Sequence, residues 1–429
     1  MTTVGEGFVH SEQYRSRKAA RELVEDAFSD MEEADFGFLF CSPSFRLDTF
    51  IDELDRQLHG RCDDWVGCTT AGEISYRGST EGGAVLLLVS SDNISFTSAA
   101  AFNVFESPEE AGSTAADELV EQGFPSEQQD NLVATFIAGL SQQHEGKEFE
   151  ILQGITSSIG TGIPVVGGSA GDDLALDGTH QFYNGMIYSD AVVLVGISTD
   201  LTIHTGQAHG LEKTIASGVI NETDGREIIS ISGQPAAEFY ADAIGQDVED
   251  LKKLYDMPLG ETISKSLHYL FLKLTGKQPI KIQRVFQYSL EKPFAEQVSS
   301  GEYRIITPIS ITDRNGIIIS TSLEENTPVH VIEGEKQGII DAGKEAFSHI
   351  DLKQQETLFS IVVDCTCRNQ LLDRSERERE VAAIRNTLQC PVAGFYGYGE
   401  IGGAEDTFCT FKNQTVSGFV VTQEREEPE

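Results

Sequence analysis

Three segments of this chain end in a glycine followed by a carboxylate, and that pair poses the first chemical question. They are Trp65-Val66-Gly67-Cys68-Thr69-Thr70-Ala71-Gly72-Glu73, Val165-Val166-Gly167-Gly168-Ser169-Ala170-Gly171-Asp172 and Val392-Ala393-Gly394-Phe395-Tyr396-Gly397-Tyr398-Gly399-Glu400. The middle copy has one residue fewer between its outer glycines. Glycine between two extended segments permits positive φ and lets a ligand come close to the backbone. The acid that follows either caps a nearby N–H or faces a polar ligand. A tight turn that needs glycine for its geometry alone is the competing explanation. Upstream of the third copy, Asp364-Cys365-Thr366-Cys367-Arg368 closes an apolar run. A guanidinium there can clamp a carboxylate or phosphate through two parallel bonds, or pair with Asp373 or the region of Glu400.

Other chemistries fit less well. Gly167-Gly168-Ser169-Ala170-Gly171 matches the G-x-S-x-G nucleophile elbow, which needs a strand, a sharp turn and then a helix. Here Asp172, Asp173 and a loop follow, and the equivalent slots of the other copies hold Thr70 and Gly397, so a serine hydrolase using Ser169 is a remote alternative. His204 and His209 frame a glycine-containing stretch, and His268 sits between leucines. Imidazoles so placed are haem or metal ligands in some proteins and hydrogen-bonded or core histidines in more. The seven cysteines include no CxxC pair, and an odd number without a secretory signal points to reduced thiols. Cys365 and Cys367 share a face if the segment is a strand, but no zinc set surrounds them. Neither a dinucleotide-binding glycine pattern between strand and helix nor a Walker lysine is present.

The elements that must position these residues repeat as well. Apolar runs at 36–41, 132–139 and 358–364 precede the three motifs by about 30 residues and read as strands. A helical stretch lies between run and motif, with Phe50, Ile51, Leu54 and Leu58 in the first copy and Val381, Ile384 and Leu388 in the third. A further apolar strand follows each motif, at 84–89, 191–197 and 416–421. The unit is β-α-β-loop-β, used three times, twice within 36–200 and once near the C-terminus. Between them we expect helices at 234–243 and 262–274, strands at 303–312 and 317–323 joined by a hairpin through Asn315-Gly316, an edge strand at 329–333 and a helix at 344–350.

The chain holds 31 Lys+Arg against 69 Asp+Glu, a formal charge of −38. Such a surface repels phosphate backbones and anionic membranes and suits solubility or a basic partner. No apolar run approaches the ~20 residues of a membrane span. The first 35 residues lack the apolar centre of a signal peptide, so the expected address is the cytoplasm.

At the motif residues the chain resembles the FIST family of sensory proteins, which carry an N-terminal and a C-terminal FIST domain. The segment from Val66 to Ile74 looks like the family's N-terminal signature, and Pro164 to Asp172 resembles its second. Cys365-Thr366-Cys367-Arg368 is similar to a Cys-small-Gly-Arg element, with Cys367 where glycine is usual. The segment 391–401 followed by Asn413-Gln414-Thr415 looks like the closing signature. The resemblance implies a non-catalytic input module that binds an amino acid or similar polar metabolite. It further implies a partner histidine kinase or cyclic-dinucleotide signalling enzyme. Because some members of the family resemble haem-binding nitric-oxide sensors that regulate a histidine kinase, haem b is the alternative cofactor, with His204, His209 and His268 as candidate ligands. We therefore expect an α+β protein of two domains, with mixed, mostly antiparallel sheets flanked by helices. Residues 1–30 would form a helical extension, 31–205 and 206–422 the two domains, and 423–429 a charged tail. The expected ligand site comprises Gly72, Glu73, Gly171, Asp172, Arg368, Tyr396, Tyr398, Gly399, Glu400 and Asn413. Carboxylates would take an ammonium, Arg368 a carboxylate, and the tyrosines would wall the pocket.

Overall fold

The uncharged run at 36–41 is too short for a buried helix and too apolar for a strand with one wet face. It forms a strand buried at every position, and 131–137 and 359–365 do the same. Around each the chain builds one unit. The computed structural model describes residues 2–10, 16–125, 131–211, 213–255, 288–299, 302–403 and 410–425. The first unit runs β1 (Thr2–His10), α1 (Ser16–Ala27), β2 (Phe36–Cys41), α2 (Leu47–Leu58), β3 (Trp65–Thr69), β4 (Glu73–Ser75), β5 (Gly78–Thr80) and β6 (Gly83–Ser91). The second repeats it as β7 (Ile94–Phe102), α3 (Pro108–Glu121), β8 (Asn131–Ile137), α4 (Glu148–Ile159), β9 (Val165–Ser169), β10 (Gln181–Tyr183), β11 (Met186–Tyr188) and β12 (Ala191–Thr199).

The third unit opens with β13 (Thr202–Ala208) and is then interrupted by an insertion. That insertion holds β14 (Lys213–Asp224), β15 (Glu227–Ile231), β16 (Gln234–Pro235), α5 (Ala236–Ile244), α6 (Val248–Tyr255), β17 (Phe294–Ser299), β18 (Glu302–Ile306), β19 (Pro308–Ile311), β20 (Ile317–Ile319) and β21 (Pro328–Glu333). Its strands form a sheet of their own, closed over by Tyr240 and its neighbours. The unit resumes with α7 (Lys336–Glu345), β22 (Gln355–Cys365), α8 (Thr366–Leu371), α9 (Arg374–Leu388), β23 (Val392–Gly397), β24 (Gly399–Gly402), β25 (Thr410–Lys412) and β26 (Val416–Glu424).

Each unit supplies four strands of one six-stranded sheet, in the orders β1-β6-β2-β3, β7-β12-β8-β9 and β13-β26-β22-β23. The last two strands of each sheet come from another unit. The first sheet is completed by β10-β11, the second by β24-β25 and the third by β4-β5. The exchange is therefore cyclic, and no unit completes its own sheet. The pairs β2/β3, β8/β9 and β22/β23 are parallel and the remaining pairs antiparallel, so the α+β class with mixed sheets is observed.

The inward faces of all three sheets share one core. At its centre Phe40, Phe136 and Phe395, one from each unit, pack with centroids 5.4, 4.9 and 6.2 Å apart. Helices cover the outer faces in pairs: α1 with α2, α3 with α4 and α7 with α9. Gly67, Gly167 and Gly394 play one part in all three units. A Cβ there would lie 1.8, 1.9 and 2.0 Å from the carbonyl oxygens of Leu39, Thr135 and Val362 on the parallel neighbour. The repeated glycine is thus a packing requirement.

Several expectations are corrected. Residues 1–30 are not a helical extension: Thr2–His10 is a strand paired along its length with β6, and only α1 is helical. Gly5 and Gly7 hide the alternation, because they exist to let α1 approach the strand. The boundary expected after residue 205 falls inside β13, which pairs with β26 two hundred residues later. The edge strand expected at 329–333 lies between β14 and β17. The helix expected at 344–350 ends at Glu345, since α7 buries Ile339, Ile340, Ala342 and Gly343 one turn earlier. Within the expected tail, β26 continues to Glu424. The helix expected at 262–274 lies outside the described residues.

Candidate functional site at the meeting of three crossovers

Each glycine-acid motif is the point where the chain leaves its own sheet for the next unit's. The three crossings meet, and backbone hydrogen bonds close them into a ring. Ala71 N donates to Tyr396 O at 2.8 Å, Gly171 N to Thr69 O at 3.0 Å and Tyr398 N to Ser169 O at 3.1 Å. Gly72 has φ +130°, and Tyr396 N donates to its carbonyl at 2.8 Å. At Gly171 a Cβ would lie 2.5 Å from Ala71 N, and at Gly399 one would lie 2.3 Å from the Phe411 ring.

The carboxylates at the ring are buried and mostly spent on the fold. Glu73 accepts from Thr70 Oγ1 at 2.5 Å and from Gly83 N, the start of β6, at 2.8 Å. Glu400 accepts from Thr415 N at 3.1 Å and Thr415 Oγ1 at 3.0 Å, just before β26. Each acid thus pins the return from the exchanged hairpin to the unit's last strand. Asp172 instead gathers its own loop, taking the N–H groups of Leu176, Asp177 and Gly178 at 3.0, 2.7 and 3.0 Å and the hydroxyl of Tyr398. Burial raises all three carboxyls, Glu73 and Glu400 well above the usual range. Asn413 sits buried in the turn between β25 and β26.

Arg368 is not open to a ligand carboxylate. It is 1% exposed and donates to Asp364 Oδ1, His209 O and Ile339 O at 2.8, 2.9 and 2.8 Å and to Glu380. Burial raises the two acids, Asp364 to about 6 and Glu380 to about 8, with the Asp364 charge adding to the second. Four of the guanidinium's five donors are consumed inside the protein. Among the expected site residues, Tyr396 Oη and Glu400 Oε1 are buried without a hydrogen-bond partner, whereas Tyr398 Oη also accepts from Leu174 N at 3.0 Å.

The group that sequence reading passed over is Asp173. Its carboxyl accepts from Ser42 Oγ, at the end of β2, at 2.6 Å, and it is half-buried rather than sealed. Burial pushes it up to about 7, with Asp172 and Glu81 adding to the rise. Asp173, Leu174 and Leu176 take φ of +52°, +61° and +54°, left-handed values that non-glycine residues rarely adopt. Ser42 of the first unit and Tyr398 of the third both hold this loop of the second. Glu81 faces the same region and pairs with Arg377, which also donates to Asn369. Asn369 in turn lies against Gly72. The tandem Asp172-Asp173 was the available signal, but nothing in the spacing says which acid turns inward.

The alternative chemistries find little footing. Ser169 ends β9, is followed by a loop instead of a helix, is fully buried and donates to Glu148, so it is not an exposed nucleophile. His204 Nε2 is hydrogen-bonded to Gln355 at 2.8 Å, and His209 Nδ1 accepts from Leu211 N at 2.9 Å. These two imidazoles, as placed, do not fit a haem, and His268 lies outside the described residues. Among the described residues no group of three His, Cys, Asp or Glu could hold a metal ion, and no helix is long and apolar enough to cross a membrane. Cys365 is buried and its thiol raised by burial, while Cys367 packs against Leu371 and Leu372.

Comparison with known proteins gives the family. The chain is 23% identical over 351 residues to an uncharacterized protein of Methanocaldococcus jannaschii, covering 78% of this chain. It spans 61% of that relative's length. Among solved structures it aligns with cyanuric acid hydrolase from A. caulinodans over 99% of this chain and 100% of that one, at 8% identity and a TM-score of 0.37. A second cyanuric acid hydrolase structure aligns over 99% and 100% at 10% identity and 0.33. Scores so low carry no statement about activity. Residues 35–234 match the FIST N domain and 236–403 the FIST C domain. The chain therefore belongs to the FIST family, whose domains point to a sensory, signal-transducing role.

Proposed function

We propose that this protein senses a small polar ligand carrying an ammonium group, an amino acid or a similar metabolite, at the mouth of the crossover ring. The observation that supports this reading most is Asp173: a half-buried carboxyl in a left-handed loop, held by residues of both other units. Asp173 would take the ammonium. Arg377, which borders the same Glu81, would take a ligand carboxylate in place of Glu81. That assignment moves the carboxylate clamp from Arg368 to Arg377. A left-handed non-glycine residue costs on the order of 1–3 kcal/mol, so the loop has a relaxed alternative within reach of a ligand's differential affinity. Rearrangement of 173–178 would pull on Ser42 and Tyr398 together and so alter how the units sit around the ring. A partner histidine kinase or cyclic-dinucleotide signalling enzyme in the cytoplasm would read that change.

The test is a thermal-shift screen of the common amino acids and simple amines on the full chain. Amino acids should raise the melting temperature, Asp173→Asn should abolish every such shift, and Arg377→Gln should abolish those of amino acids while sparing amines. A flat screen, or shifts indifferent to Asp173, would overturn the reading.

A further inference from the structure

Away from the ring, α1 and α2 lie side by side and enclose a surface cavity of about 390 Å³ lined by Arg17, Arg21, Asp52, Glu53 and Arg56. Three guanidiniums converge there on a chain of charge −38. Glu53 organises them. Although only 4% exposed, its Oε1 accepts from Arg21 Nε at 2.5 Å, from Gln57 Nε2 at 3.0 Å and from Arg56 Nη2. The two arginines are held by one nitrogen each, and their side chains remain 51% and 60% exposed. Arg21 keeps both terminal nitrogens unspent on Glu53, and Arg56 keeps Nε and Nη1. Arg17, one turn from Arg21 on α1, has no hydrogen bond or ion pair among the described residues.

Those unspent donors define a ligand. Guanidinium forks match the geometry of tetrahedral oxyanions, and a buried carboxylate that fixes two of them lowers the entropy cost of binding. The charges of Glu53, paired with Arg21 and Arg56, and of Asp52 leave the lining net cationic by one, counted over its five residues. The volume lies within the ~300–1,000 Å³ of small-ligand sites and exceeds the size of a bare phosphate. The lining contains no aromatic or aliphatic residue, so nothing there would hold a base or an acyl chain.

We infer that the α1–α2 groove is a second ligand site, which binds a hydrophilic phosphomonoester of the sugar-phosphate class through Arg17, Arg21 and Arg56. It stands apart from the ring and does not depend on the ring's ligand. Calorimetric titration at low ionic strength with ribose 5-phosphate, inorganic phosphate and ribose tests it. Ribose 5-phosphate should bind saturably and phosphate more weakly, with no binding of ribose. Arg17→Ala and Arg56→Ala should each weaken binding about tenfold, as expected for loss of a charged hydrogen bond. Lys18→Ala, whose ammonium pairs with Glu22 at 2.8 Å, serves as the control and should change it little. Because all three side chains are exposed, circular dichroism should show an unchanged fold. Absence of saturable phosphate-dependent binding, or binding unaltered when Arg17 and Arg56 are both removed, overturns the inference. So does equal binding of ribose.

Discussion

The first and second crossovers start from the same motif and end in different chemistry. In the first, Glu73 reaches forward to Gly83 and seals the return into β6. In the second, one residue shorter, Asp172 turns back on 176–178, and the next residue, Asp173, is left half-buried and held by the Ser42 hydroxyl. The third crossover resembles the first, with Glu400 on Thr415. The repeated turn thus keeps its scaffold role in the first and third copies and frees a titratable group in the second. Buried acids satisfied by backbone N–H groups are architecture, whereas a carboxyl held by one hydroxyl in a left-handed loop is available to respond.

This contrast can be broken by substitution. Arg368→Ala should be the most damaging change, about 3–5 kcal/mol in urea unfolding, because it strands Asp364 and Glu380 without their partner. A loss below about 1 kcal/mol would mean that the third unit does not depend on that buried cluster. Tyr398→Phe removes the donor to Asp172 and the acceptor for Leu174 N, and should cost about 1–3 kcal/mol. It should also speed amide exchange at 173–178 while leaving β4–β5 protected; uniform exchange across both hairpins would contradict a loop-specific role.

The pH dependence should run opposite to ordinary acid denaturation. A carboxyl whose folded pKa lies above its unfolded value holds its proton more tightly when folded. Its contribution is present below the unfolded value and is lost as pH rises through the folded one. For Glu380 the window is 4.5 to about 8, and for Asp173 it is 3.8 to about 7. The urea midpoint should therefore fall between pH 5 and 8.5, and Glu380→Gln should flatten the upper part of that fall. A midpoint that climbs over this range would sink the assignment. The smallest effect on stability belongs to Asp173→Asn near pH 4, within about 0.5 kcal/mol, since there the amide replaces a protonated carboxyl and keeps an acceptor for Ser42. Ligand-induced shifts should nonetheless disappear in that variant, which separates response from scaffold.

The repeated unit was legible in the residues because strand, helix and glycine turn are local patterns. The apolar runs became β2, β8 and β22, the helical spacing of Val381, Ile384 and Leu388 became α9, and Asn315-Gly316 joined β19 to β20. The site was legible only in outline. Glu73, Asp172 and Glu400 do lie together at the crossovers, but their sequence does not say that each finds backbone donors, and Arg368 gives no sign of the Asp364 and Glu380 that enclose it. Asp173 was overlooked because its value lies in what it is denied: enough partners to be consumed.

The sequence by itself determined the central strands and helices of the repeat, their threefold use, the acidic character and the family. Tertiary structure alone decided that the glycine-acid segments are crossings, that each unit lends its hairpin to another, and that the three copies close one ring. The reason is physical. Periodicity records which face of an element is apolar, whereas strand exchange depends on which of several equivalent edges lies nearest once the common core has formed. The same core decides which carboxyls meet a backbone N–H and which one is held by a hydroxyl instead.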